Sequence, residues 1–357
     1  MMAWASRFAV SGFSGPGGVL EPETRHREPS AEAGVVLIVV LWVILLLSLL
    51  IGGFAFTMHV ETELTSFHRK QLKAEMIARS GVEVAQRILA RQASSATAGN
   101  FDARNQDWVT NQTFLVNRTI GDGVLNVTMT DEESKFPINR ATPEQIRRLL
   151  DLLGVDPVDG DVIADSIADW IDPDDLHLLN GAESDYYLSL SPPYRAKNAP
   201  LDRVEELLLV RGVTRELMYG QAPEGDTNAV PWLVDLLTTT SSGRLNVNTA
   251  SPLVLRALLG LDDTQLDAVL NKRNGGDGVN GTDDDQPFQS LSEFYSLLGV
   301  ADRKALDQAG RLLTVQSSYF TIRSTGRVGN VTRTVRVIVR RNGDQVLPVT
   351  WQAGEAN

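Results

Sequence analysis

The chain has 357 residues, 43% of them hydrophobic, enough for one large or two ordinary domains with a sizeable core and an anchor. Its net charge of −12 is uneven: residues 131–310 hold 15 Lys/Arg against 32 Asp/Glu, and residues 311–357 hold 7 against 2. The acidic central block would repel a phosphate backbone, which argues against nucleic acid as partner, and the absence of cysteine excludes disulfides, thiolate metal sites and thiol catalysis.

Residues 35–56 read VVLIVVLWVILLLSLLIGGFAF, without a charge and with Ser48 as the one weakly polar residue. A helix of that length spans about 33 Å, matching a hydrocarbon core of about 30 Å. A cleaved secretory signal would have a shorter apolar region and a small-residue site at its far end. No proline follows between Val60 and Gln92, and Val60, Leu64, Phe67, Ala74, Ala78, Gly81, Ala85 and Ile88 form an apolar stripe of largely small side chains. The pattern predicts one helix over residues 35–93, its first part in lipid and its second (57–93) packed on protein, with Gly52-Gly53 as the place for a bend.

After a polar break come two short alternating runs, Thr113–Arg118 and Val124–Thr130, joined by Gly121-Asp122-Gly123. The same texture returns in Tyr319–Val328 and Val331–Arg341 around Gly329-Asn330, which favours a second hairpin. One sheet built from residues 94–133 and 313–357, interrupted by an insertion over 134–312, accounts for this order. The insertion is internally repeated. Ile138-Asn139-Arg140-Ala141-Thr142-Pro143 recurs as Val247-Asn248-Thr249-Ala250-Ser251-Pro252. The segment Val204 to Val213 recurs as Leu291 to Val300. Thr142 and Ser251 read as helix N-caps with proline at the first helical position, and Gly212 and Gly299 as helix stops.

Together these residues resemble the K-type minor pseudopilins of bacterial type II secretion systems, the general secretion pathway protein K family. The resemblance is carried by Asp169-Trp170-Ile171-Asp172-Pro173-Asp174-Asp175, Gly181-Ala182-Glu183, Pro193-Tyr194-Arg195-Ala196-Lys197-Asn198-Ala199-Pro200 and the run from Glu205 to Val213, on top of the anchor. It implies an α+β, type IV pilin-like fold, with a long N-terminal helix, an antiparallel sheet and a large all-α insertion of duplicated helix-hairpin-helix, or SAM-like, units. It implies a leader of residues 1–34, cut by a prepilin peptidase between Gly34 and Val35, with N-methylation of Val35. Most pilin-like subunits carry Glu at the fifth mature position; here Val39 stands there, an absence the K-type subunits share. An acidic side chain in the bilayer without a partner costs on the order of 2.5–3.5 kcal/mol, so a subunit placed at the pseudopilus tip does better without it. The leader departs from the family in its length and in Glu23, Glu28 and Glu32, which offset Arg25, His26 and Arg27. Orientation, with a periplasmic C-terminal domain on a single inner-membrane pass, therefore follows from the resemblance.

The four histidines (26, 59, 68 and 177) form no metal or triad spacing, and neither a nucleophile elbow, a zinc-protease motif nor a P-loop occurs. The expectation is a protein that is not an enzyme. Oxygen ligands are abundant instead: Asp172, Asp174, Asp175, Glu183 and Asp185 crowd one stretch with Pro173 and Gly181 to bend it. A hard cation, best calcium, would relieve their repulsion, and the family's K-type subunits bind calcium. The alternative is a solvated loop whose charges pair with Arg195 and Lys197. Asp277–Asp285 is a second, weaker cation candidate. The expected partners are the I- and J-type minor pseudopilins, the inner-membrane platform, the prepilin peptidase and secreted substrate. A minor pilin of a type IV pilus and a membrane-anchored helix-hairpin-helix DNA receptor remain as alternative functions.

Overall fold

Helix α1 (Ala31–Ser94) runs for 64 residues without interruption. The computed structural model describes residues 31–94, 100–220, 232–299 and 311–355. The leader expected over residues 1–34 thus lies, up to residue 30, outside the described residues. The chain divides into two compact units, residues 1–65 and 66–357. In the first, every side chain from Val35 to Phe56 is exposed, and the segment is long and apolar enough to cross a membrane. Gly52 and Gly53, where a bend is expected, lie within the continuous helix.

In the second unit, the C-terminal part of α1 packs on a sheet. Ala74, Ala78, Val82, Ala85 and Leu89 are buried with Leu125, Val127, Ile322, Val335 and Val337 in one apolar core. Small side chains let the two backbones approach. A Cβ on Gly326 would stand 2.1 Å from the Ala74 carbonyl oxygen, so only glycine fits there. Phe67, Leu64 and Val60, on the same stripe nearer the N-terminus, are exposed.

Beyond α1 come α2 (Asp107–Thr110), β1 (Arg118–Ile120) and β2 (Gly123–Asp131). The strand expected over Thr113–Arg118 is displaced: Asn111–Leu115 forms a 3-10 turn and only Arg118–Ile120 pairs with β2. The Gln112 side chain takes the place of the missing ladder. It accepts from Met129 N–H at 3.1 Å and donates to the Met129 carbonyl at 3.0 Å.

The insertion opens with β3 (Phe136–Pro137), α3 (Pro143–Leu152), α4 (Pro157–Ile171), α5 (Ser184–Leu188), α6 (Arg215–Tyr219) and α7 (Leu233–Leu236). It continues through β4 (Leu237–Thr238), β5 (Leu245–Asn246), α8 (Pro252–Leu259), α9 (Asp263–Arg273), α10 (Leu291–Leu297) and β6 (Leu313–Thr314). Both expected caps form: Thr142 Oγ1 accepts from Gln145 N–H at 3.3 Å and Ser251 Oγ from Val254 N–H at 3.3 Å. The first helices of the two repeats, α3 and α8, are joined where Gln145 Nε2 donates to the Leu258 carbonyl. Parallel two-residue ladders, β3 with β4 and β5 with β6, mark out the two halves. A single core from Phe136 to Leu313 unites them.

The chain then returns to the sheet as β7 (Tyr319–Val328), β8 (Val331–Asn342) and β9 (Gln345–Glu355), in the order β1-β2-β7-β8-β9. The Gly329-Asn330 hairpin sets Val328 opposite Val331. Between the two apolar cores lies a polar junction. Asp102 is paired with the Arg341 guanidinium, both buried. Asp131 accepts from the Ser317 hydroxyl at 2.6 Å, the Thr249 hydroxyl at 2.5 Å and the Glu133 N–H at 2.8 Å. Glu132 pairs with Lys135 and accepts from Thr238 and Thr321.

Candidate cation site in the insertion

Helix α4 ends at Ile171, and its last turn delivers Asp169 and, one residue past the helix, Asp172. The chain loops out through Asp174 and Asp175 and comes back at Gly181 to start α5, where Glu183 occupies the N-cap position without capping. The return is tight. A Cβ on Gly181 would stand 1.8 Å from Asp169 Oδ2, so a side chain there would displace the carboxylate. Oxygens of Asp169, Asp172 and Glu183 consequently lie within 4.8 Å of one another.

Their hydrogen-bond accounts differ. Both Asp169 oxygens accept from the Leu178 N–H at 3.1 Å. Both Glu183 oxygens are buried without a partner, as are Asp172 Oδ1 and Asn198 Oδ1. Glu183 is only 2% exposed. Burial, then the charges of Asp169 and Asp172, push its carboxyl up to about 7. Burial also raises Asp172, with Asp174 adding to it, and raises Asp169. Buried carboxylate oxygens without donors are costly, and a hard cation with oxygen ligands is one chemistry that would remove the cost. The donor set fits calcium.

Of the five acidic residues expected here, Asp172 and Glu183 join the group. Asp174 and Asp175 stand close enough to raise Glu183, but their side chains are engaged: Asp174 accepts from Leu176 N–H, and Asp175 from the Ser184 hydroxyl and Asn198 Nδ2. Asp185 stays outside, accepting from the N–H of Tyr186 at 2.7 Å. Asp169 is the member that sequence reasoning passes over, although it lies three residues before Asp172 and so on the same helix face. The pairing that would mark a plain solvated loop does not occur among the described residues: Lys197 binds Asp202 and Glu206, both at 2.7 Å. In the second candidate, Asp277–Asp285, the carboxylates serve their own backbone. Asp284 accepts from Gly276 and Asp277 N–H, and Asp285 from Gly281 N–H. The Thr282 hydroxyl, then the N–H groups of Asp277 and Gly276, hold Asp284 below the usual carboxylate range.

A long N-terminal helix on an antiparallel sheet, interrupted by a duplicated helical insertion, defines a type IV pilin-like fold. Two family models, both described as type II secretion system protein K, match residues 123–223 and 245–316. Over these residues the chain matches the type II secretion system protein K family. It is 28% identical over 236 residues to protein K of Klebsiella pneumoniae, covering 62% of this chain and 67% of that one. To protein K of Pseudomonas aeruginosa it is 28% identical over 266 residues, covering 71% and 75%. A chain from the crystal structure of the GspK-GspI-GspJ complex of enterotoxigenic Escherichia coli shares the fold, with a TM-score of 0.62 at 21% identity, covering 83% of this chain and all of that one.

Proposed function

We propose that this protein is the minor pseudopilin that caps the tip of a periplasmic pseudopilus and helps start its assembly, without catalysing a reaction. The observation that carries the reading is the insertion itself. A helical body with its own core, set between β2 and β7, adds bulk that could not repeat at every position of a close-packed shaft. Its partners are the I- and J-type minor pseudopilins and the inner-membrane platform, in keeping with the GspI and GspJ that accompany the solved relative. The exposed stripe of Val60, Leu64 and Phe67 supports a role for α1 in helix-to-helix assembly. Prepilin peptidase cuts between Gly34 and Val35, leaving the apolar segment as the single membrane anchor and residues beyond it in the periplasm.

In this reading Asp169, Asp172 and Glu183 hold calcium. Calcium, when bound, supplies positive charge and accepts about six to eight oxygen ligands. The residues themselves do the rest. Asp169 is fixed by Leu178, Glu183 is set by the start of α5, and the loop between them is thereby tied to α4.

Co-purification of the full-length chain in detergent with the I- and J-type subunits of the same organism tests the assembly role. Association at micromolar concentration is expected, and none would contradict it. Mass spectrometry of the same preparation reads the N-terminus: a chain starting at a methylated Val35 is expected, and an intact leader or a cut beyond Phe56 would overturn the processing.

A further inference from the structure

The sheet has a second face, away from α1, and its chemistry is set by register. Across four strands one row reads Thr128, Arg323, Arg336, Gln352, with the two arginines directly opposite each other. The next outward row reads Asn126, Thr325, Thr334, Gly354, and the one after it Val124, Arg327, Thr332. None of these positions holds a carboxylate. Arg323, Arg327 and Arg336 are exposed, and among the described residues none of the three has an ion-pair partner. Toward the insertion the same face runs into a groove of about 630 Å³ lined by Arg336, Ile338 and Gln352 of the sheet and by Asp202, Glu205 and Asp235 of the insertion, so the carboxylate-free part of the face is the three rows themselves.

Like charges directly opposite on a sheet destabilise it, so this row costs stability in the isolated chain. A patch of this sign is also out of keeping with a chain of net charge −12. We infer that the outer face of the sheet, centred on Arg323, Arg327 and Arg336, receives the carboxylates of a neighbouring protein subunit. Residues 311–357 contain seven arginines and no lysine. Arginine forks match carboxylates in pairs of hydrogen bonds, and protein interfaces enrich Arg over Lys. The threonine, asparagine and glutamine side chains between the arginines can hydrogen-bond a polar protein surface. Membrane-surface binding, by contrast, uses large apolar side chains beside the basic ones; these rows hold none that is exposed, and on the same face the exposed Leu347 stands opposite Arg340, away from the three arginines.

The choice of probe rests on the proposed function: the I- and J-type subunits are the proteins to offer. The full-length chain in neutral detergent is labelled with phenylglyoxal, alone and in complex with both subunits, and each arginine is read by mass spectrometry. Labelling of Arg323 and Arg336 is expected to fall in the complex while exposed Arg244, in the insertion, keeps its rate. The double variant Arg323→Glu/Arg336→Glu is expected to bind roughly tenfold or more weakly, with a flatter salt dependence. A complex that forms with unchanged labelling, or a double variant that binds like wild type, overturns this inference and leaves the proposed function standing. No complex with the wild-type chain overturns both. Protection of the same arginines in phosphatidylglycerol nanodiscs, but not in phosphatidylcholine nanodiscs, with no subunit present assigns the face to lipid and also overturns the inference.

Discussion

At the junction between sheet and insertion, Asp102, Asp131, Glu132 and Glu133 are all buried, and each has donors from the chain itself: Arg341, Lys135, hydroxyls and backbone N–H groups. In the loop after α4, Glu183 is as deeply buried, Asp172 places an oxygen out of solvent, and the chain offers those oxygens nothing. The first arrangement is a finished structural joint. The second, in the function proposed above, is completed by a cation. What separates a structural acid from a ligand is therefore not acidity or burial but who supplies the donors, and the exposed loop around Asp284, whose carboxylates are met by its own backbone, falls on the structural side.

The largest expected effect breaks the finished joint. Arg341→Ala leaves Asp102 buried and unpaired, and such losses cost about 3–5 kcal/mol. Chemical denaturation should show that loss equally in calcium and in chelator. Next is Gly181→Ala, which drives a methyl group into Asp169. Overpacking of this kind costs roughly 1–3 kcal/mol, and calcium titration should show weakened binding together with the lowered stability.

A pH series sharpens the junction side. Burial and the charge of Glu133 raise Asp131 to about 7 from an ordinary value of 3.8. Between those two values the folded state holds more protons than the unfolded one. Its contribution to stability is therefore full below the lower value and lost as pH rises toward 7. Asp131→Asn has no such term. The stability of wild type relative to this variant should increase as pH falls from 7 to 4, measured by denaturation of both in chelator. A constant difference would remove Asp131 from the junction's pH response. The smallest effect is expected for Asp284→Asn, which should leave the calcium dependence of melting unchanged because its loop holds no orphaned oxygen.

Much of this was legible beforehand, for physical reasons that differ by region. The uncharged run from Val35 to Phe56, the proline-backed caps at Thr142 and Ser251, and the tight Gly329-Asn330 link are local signals, and local signals survive without tertiary knowledge. The turn at Asn111–Leu115 was not legible, because its backbone is diverted by a side-chain pairing between Gln112 and Met129 that is distant in sequence. Strand β9 was hidden by Pro348, which reads against a central strand. It is tolerated because β9 lies at the sheet edge, and the register with β8 slips beside it. At the cation site the acidic crowding was visible, but the membership was not. Asp169 reads as an ordinary helix residue until Gly181 folds back onto it, and Asp185 reads as a ligand until its own helix N-terminus takes its oxygen.

The calcium response of the full-length chain tests the reading of that site most directly. Thermal melting in detergent would compare wild type with Glu183→Gln, each in calcium and in chelator. At a hundredfold excess over the dissociation constant, binding to the folded state alone is worth about 2.7 kcal/mol. Wild type is expected to melt at a clearly higher temperature in calcium, with magnesium restoring less, while the curves of Glu183→Gln draw together. Wild-type curves that coincide with and without calcium would contradict the account and leave Asp172 and Glu183 as buried oxygens with no ion to meet them.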